Sequence, residues 1–117
     1  MHIVIVGPCA AGKSTLARNL RARGYDAEDC GQEHSGVQYM WQRIAQPDIL
    51  IFLDASLATI NQRLRVNWEQ SYLDEMRRRL THARAHAHCA IDTNPLSPDQ
   101  VCEHVIGFLQ AQHLTPS

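Results

Sequence analysis

The chain has 117 residues, 44% of them hydrophobic, and 11 Lys+Arg against 12 Asp+Glu give a net charge of -1. That length supports one domain over residues 1–117 and leaves no room for a second, while the balanced charge excludes a global basic field for nucleic acid or anionic membranes. No apolar run approaches the ~20 residues of a membrane span. Cys9, Cys30, Cys89 and Cys102 are far apart, without C-x-x-C spacing, and no signal peptide precedes the first apolar run. These features predict reduced thiols and a cytoplasmic protein.

Ile3-Val4-Ile5-Val6 is an apolar, β-branched run of the kind buried on both faces of a parallel sheet. It ends at Gly7-Pro8-Cys9-Ala10-Ala11-Gly12-Lys13-Ser14-Thr15, which fits the phosphate-loop pattern G-x-x-x-x-G-K-[ST]. Glycines let backbone N–H groups turn inward around an anion at a helix N-terminus. Gly7, Ala10, Ala11, Gly12, Lys13, Ser14 and Thr15 are therefore the expected phosphate-binding residues, with Lys13 reaching the β/γ-phosphates and Ser14 ligating Mg²⁺. Leu16, Ala17 and Leu20 share one face of the helix that follows, and Gly24 stops it.

Tyr25 to Cys30 predicts a short second strand, and Gly31 to Gly36 a loop. Gln32-Glu33-His34-Ser35 in that loop is polar enough either to contact an acceptor and do base chemistry or simply to be solvated. Val37, Met40, Trp41 and Ile44 recur with helical period up to Pro47. Ile49 to Leu53 is a further buried strand ending at Asp54, and Ser56 caps a helix carrying Leu57, Ile60 and Leu64.

One long helix is expected from Trp68 to about Ala87, with Trp68, Tyr72, Met76, Leu80, Ala83 and Ala87 as its stripe and Asp74–Arg78 and Glu75–Arg79 as i,i+4 pairs. His82, His86 and His88 raise a metal question, but no H-E-x-x-H glutamate accompanies them and Arg84 lies between His82 and His86, which favours a solvated face. Cys89 to Thr93 is the last strand, Ser97-Pro98-Asp99-Gln100 a capping box, and Val101, Val105 and Leu109 the buried face of the last helix. The end, about residues 111–117, is expected to fray.

Strands alternating with helices predict an α/β, three-layer P-loop fold with a short parallel sheet, ligands binding at the strands' carboxyl ends. An exposed sheet edge suggests a homodimer as one way of covering it.

In this order the residues resemble the P-loop kinase superfamily of shikimate, gluconate, adenylate and nucleoside kinases. The resemblance runs through the loop at Gly7 to Thr15, through Leu50 to Ser56 and on to Arg63, and through Ala90 to Ser97. It implies ATP and Mg²⁺ as cofactors. It also implies a lid arginine against adenine and another on the transferring phosphoryl group, which match Arg63 and Arg65, and an adenine-contacting loop matching Asn94-Pro95. A planar guanidinium suits either lid role, and the alternative is two solvated helix arginines.

The kinases carry an extra strand and acceptor region where this chain has only Gly31 to Asp48. A shortened sheet in the order 2-1-3-4 follows, with Asp29 or Glu28 replacing the lost carboxylate. Asp29 is the favoured catalytic or Mg²⁺-linked acid, and Asp54 is an alternative metal anchor that otherwise only caps a turn.

The function these residues imply is phosphoryl transfer from ATP to an unknown small-molecule acceptor, with Lys13, Asp29 and Arg65 as catalytic residues. Alternatives are a non-catalytic nucleotide-binding module serving a protein partner, or a small NTPase. Guanine specificity is disfavoured, because no N-K-x-D motif occurs.

Overall fold

A computed structural model describes residues 1–114 of the chain. Strands β1 (His2–Val6), β2 (Asp26–Asp29), β3 (Ile49–Asp54) and β4 (Cys89–Asp92) form a single parallel sheet in the order β2-β1-β3-β4. This is the shortened, P-loop kinase-like arrangement expected, with no strand between β1 and β2. The short connection Gly31 to Asp48 cannot supply one.

Alternation along the central strands divides the core into two layers. Ile3, Ile5, Ile51 and Leu53 face helices α1 (Lys13–Ala22), α3 (Leu57–Leu64), α4 (Gln70–Arg79) and α6 (Pro98–Ala111) through Leu16, Leu20, Ile60, Leu73, Met76, Val105 and Leu109. Val4, Val6, Leu50 and Phe52 face α2 (Met40–Ala45) and α5 (Thr81–His86) through Trp41, Ala45, Leu80 and Ala83. Each fully buried Leu or Ile contributes about 1.5–3 kcal/mol, so the two-sided β1 and β3 are the best-anchored elements.

Three local expectations are corrected. Tyr72 is exposed, Leu73 takes its place in the core, and the predicted long helix breaks at Leu80 into α4 and α5. The break lets α4 pack on one sheet face and α5 on the other, which no straight helix can do. In α2 only Trp41 and Ala45 are buried, while Ile44 is exposed, as is Val37, which precedes the helix. Residues 32–34 form a 3₁₀ turn rather than a solvated loop, with Gln32 and Glu33 buried.

Gln32 holds that turn in place: its amide donates to the Val37 and Arg79 carbonyls at 2.8 and 3.1 Å and accepts from Trp41 N–H at 2.9 Å. The caps expected from sequence form as read, Ser56 accepting from Thr59 N–H and Ser97 with Gln100 completing a capping box.

The last helix ends in a Schellman motif. His113 is left-handed, the Leu114 N–H reaches the Leu109 carbonyl at 2.8 Å, and Leu114 packs on the core. Of the tail expected to fray, residues 115–117 lie outside the described residues. No helix among the described residues is long and apolar enough to cross a membrane.

Candidate functional site

The loop Gly7 to Gly12 joins the buried β1 to α1 and is shaped by two glycines for different reasons. At Gly7 (φ 156°) a Cβ would overlap the Leu53 carbonyl oxygen, so the loop can cross β3 only without a side chain. Gly12 (φ 102°) has open space around it and is needed for its left-handed conformation, which starts α1. Ala10 is left-handed as well (φ 60°), and Ala11 N–H turns back to the Pro8 carbonyl at 3.2 Å. Such left-handed turns at a helix N-terminus gather N–H groups into a concave, anion-accepting loop.

Lys13, the first residue of α1, curls back under this loop. Its ammonium donates to the carbonyls of Gly7 at 2.6 Å and Pro8 at 3.3 Å, and to the Glu33 carboxylate. Both side chains are nearly enclosed, Lys13 at 10% and Glu33 at 3% exposure. Burying these charges is tolerable only because they are paired. Glu33 Oε1 is buried without a hydrogen-bond partner among the described residues. Cys9 Sγ lies 3.9 Å from Glu33 Oε2 and 3.5 Å from His34 Nε2. Burial, reinforced by the Glu33 charge, pushes the Cys9 thiol up from its usual range, against a smaller opposing pull from Lys13.

A cavity of about 350 Å³ opens beside the loop, and residues Ala10 to Leu16 form one wall. Asp29, at the end of β2, Arg63 of α3, Thr93 after β4, and Leu96, Pro98 and Val101 complete it. Polar groups therefore gather at the loop end and apolar ones around the start of α6. Arg63 spans the opening, donating to the carbonyls of Ala10 at 2.7 Å and Thr93 at 3.2 Å. The buried Thr93 hydroxyl lies 3.1 Å from both the Ala11 and the Asp54 carbonyls, tying the end of β4 to the loop.

Of the residues expected at the site, the structure gathers Ala10, Ala11, Gly12, Lys13, Ser14, Thr15, Asp29 and Arg63 around this cavity. Gly7 shapes the loop from beneath. Arg65 is not in the wall: it is the exposed, left-handed C-cap of α3 (φ 56°). Asn94 and Pro95 are exposed as well, and the Asn94 side chain instead accepts from Ser56 N–H at 2.7 Å. Leu96 and Pro98 stand where that loop was expected.

Asp54 faces a second cavity, of about 330 Å³, with Ser56, Arg77, Arg84 and Asn94 among its lining residues. Its carboxylate accepts from Ala55 N–H at 2.9 Å and from the Arg77 guanidinium at 3.2 and 3.3 Å. No local sequence pattern signals this pair, whose partners are 23 residues apart. Of the two i,i+4 pairs expected, Glu75–Arg79 forms at 3.2 Å, while Arg78 pairs with Glu75 and Asp74 with Gln70.

The three α5-region histidines are structural. Trp41 donates to His82 at 3.2 Å, His82 and His86 stack at 4.2 Å, and His88 Nδ1 accepts from Leu50 N–H.

No protein-family model and no curated protein matches the sequence. Among solved structures, the chain is similar to the YorR protein of Bacillus subtilis, crystallised in complex with phosphorylated GDP. The TM-score is 0.69 at 18% identity, over 97% of this chain and 98% of that one. At this identity the likeness shows a shared fold alone, a P-loop kinase-like α/β fold over nearly the full length of each chain.

Proposed function

We propose that the protein is an ATP- and Mg²⁺-binding phosphotransferase of the small-molecule kinase type. The observation that carries this reading is the cavity that joins the phosphate loop, Asp29 and Arg63 to an apolar rim. That a neighbour of the same fold was crystallised with phosphorylated GDP supports nucleotide as the ligand class. The absence of an N-K-x-D motif favours adenine over guanine.

The residues fit the group. Gly7 lets the loop pass close over β3, the left-handed Ala10 and Gly12 shape it, and Ser14 and Asp29 offer oxygen donors to the same cavity. The loop's N–H groups and Lys13 would hold the β/γ-phosphates, Ser14 would ligate Mg²⁺, and Leu96, Pro98 and Val101 would cover the base. When bound, Mg²⁺ would neutralise charge on the phosphate oxygens.

Lys13 would exchange the Glu33 carboxylate and loop carbonyls for phosphate oxygens, so its charge is already positioned before ligand arrives. Arg63 keeps the opening of the cavity cationic. Arg65, at the head of the exposed residues 65–67, would reach the transferring group on closure of that turn. Asp29 would orient the acceptor hydroxyl or a metal-bound water. Asn94 and Pro95 would border the base from outside the present cavity wall, and Asp54 is the less favoured metal anchor because Arg77 already occupies its carboxylate.

One observation favours a second reading, a nucleotide-binding module without an acceptor. Glu33, the strongest base candidate in the 31–36 segment, is buried against Lys13 rather than facing open space. An ATP-consumption screen over hydroxylated metabolites and nucleosides separates the two. Turnover with one acceptor class establishes the kinase, and tight Mg²⁺-nucleotide binding without turnover establishes the module.

A further inference from the structure

The cluster under the phosphate loop carries a chemistry that nucleotide binding does not use. Cys9 from the loop and Glu33 and His34 from the 3₁₀ turn bring a thiol, a carboxylate and an imidazole together, all donor atoms within 4.8 Å of one another. Sγ–Nε2 is 3.5 Å, Sγ–Oε2 3.9 Å and Nε2–Oε2 3.9 Å. Zinc bonds of ~2.3 Å to sulfur and ~2.0–2.2 Å to nitrogen and oxygen place tetrahedral ligand atoms about 3.3–3.6 Å apart. The observed triangle therefore needs only a few tenths of an ångström of closure.

A second observation points the same way. Glu33 has a fully buried oxygen, Oε1, with no hydrogen-bond partner among the described residues, although the group is 3% exposed. Leaving a carboxylate oxygen dry and unpaired is costly, and a cation removes the cost. The triangle's oxygen, Oε2, is the one Lys13 also holds, so an ion in the cluster shares this carboxylate with Lys13, and Oε1 is the oxygen left free to turn toward it. His34 is 60% exposed, so the cluster is open on one side to solvent. An ion can enter there and keep water as its fourth ligand.

We propose that Cys9, Glu33 and His34 form a binding site for one divalent transition-metal ion of the zinc type. Thiolate and imidazole select borderline-soft metals over Mg²⁺ and Ca²⁺, and three protein ligands leave the fourth tetrahedral position free. Binding exchanges the Cys9 thiol proton, released to solvent, for the ion. The bound ion ties the phosphate loop to residues 33–34. Its three ligands lie outside the wall of the nucleotide cavity, and the test below reads metal binding without nucleotide.

The test is a titration of the tag-free, chelator-stripped full chain with Co²⁺, followed by Zn²⁺ in competition with a chromophoric chelator. One equivalent should bind, with a thiolate-to-cobalt charge-transfer band and the intense d–d bands of a tetrahedral site. Cys9→Ser should abolish the charge-transfer band. His34→Ala should weaken binding by at least about tenfold, the low end of what losing even an outer-shell partner costs. Cys89→Ser and His86→Ala should leave both readouts unchanged. Absence of the charge-transfer band in the native chain, its persistence in Cys9→Ser, or native affinity in His34→Ala overturns the proposal. Should Cys9→Ser fail to fold, His34→Ala, altering an exposed ring, carries the decision alone.

Discussion

The Lys13 ammonium is held by the Glu33 carboxylate directly beneath the phosphate loop, two enclosed charges contributed by α1 and the 3₁₀ turn. A phosphate arriving in the loop competes with that carboxylate for the same cation. The pair thus holds the unliganded loop together and sets a penalty on ligand binding.

Glu33→Gln keeps the shape of the side chain but leaves Lys13 without its counter-charge. Loss of a charged hydrogen bond in a buried pair should lower unliganded stability by about 2–3 kcal/mol. Nucleotide then supplies the missing negative charge, so the nucleotide-induced rise in Tm should be larger in Glu33→Gln than in the native chain. Thermal melts of both proteins, with and without Mg²⁺-ATP, read this directly. An unchanged melting temperature and an unchanged ligand shift would show that the pair is energetically silent.

Gly7→Ala places a methyl group against the Leu53 carbonyl, a backbone atom of the central strand β3, at a positive φ. The strain should cost about 1–3 kcal/mol and open the loop from β3. Denaturant unfolding should show a lower midpoint at constant slope, with weakened nucleotide binding. Gly36→Ala, where nothing lies within 4 Å of the added atom, is the control expected to match the native chain.

His2 bridges Asp26 and Glu28 of β2 at 3.0 Å each. Burial pulls its pKa down, but the hydrogen bonds to Glu28 and Asp26 and their charges outweigh it, so the net shift is upward from 6.5. A raised folded-state pKa means the contribution is fully present below pH 6.5 and is lost as pH rises through the folded value. Native stability minus His2→Gln stability should therefore fall with rising pH across that window. A difference that is flat or grows with pH contradicts the bridge. Modest size is expected, because both carboxylates are well exposed.

Much of this was legible in the chain. Two-sided β-branched runs identify β1 and β3 because only a parallel sheet covered on both faces hides them, and the phosphate loop follows from glycine and lysine spacing. The strand order 2-1-3-4 follows from the short Gly31 to Asp48 connection. The Lys13–Glu33 and Asp54–Arg77 pairs were not legible, because each joins residues 20 or more positions apart that no local spacing connects. The burial of Gln32 was not legible either, because its backbone partners Val37, Trp41 and Arg79 share no sequence pattern with it. The break at Leu80 was invisible since both halves of the stripe are apolar at helical spacing. It takes the two-faced sheet to make them part.

The most direct test of the account is calorimetric titration of Mg²⁺-ATP into the native chain and into Lys13→Ala, whose folding is checked by circular dichroism. The account predicts saturable one-site binding by the native chain. In the variant, loss of a charge-assisted contact of about 1.5–3 kcal/mol should weaken it by roughly tenfold to a hundredfold. Native affinity in a folded Lys13→Ala protein would contradict it.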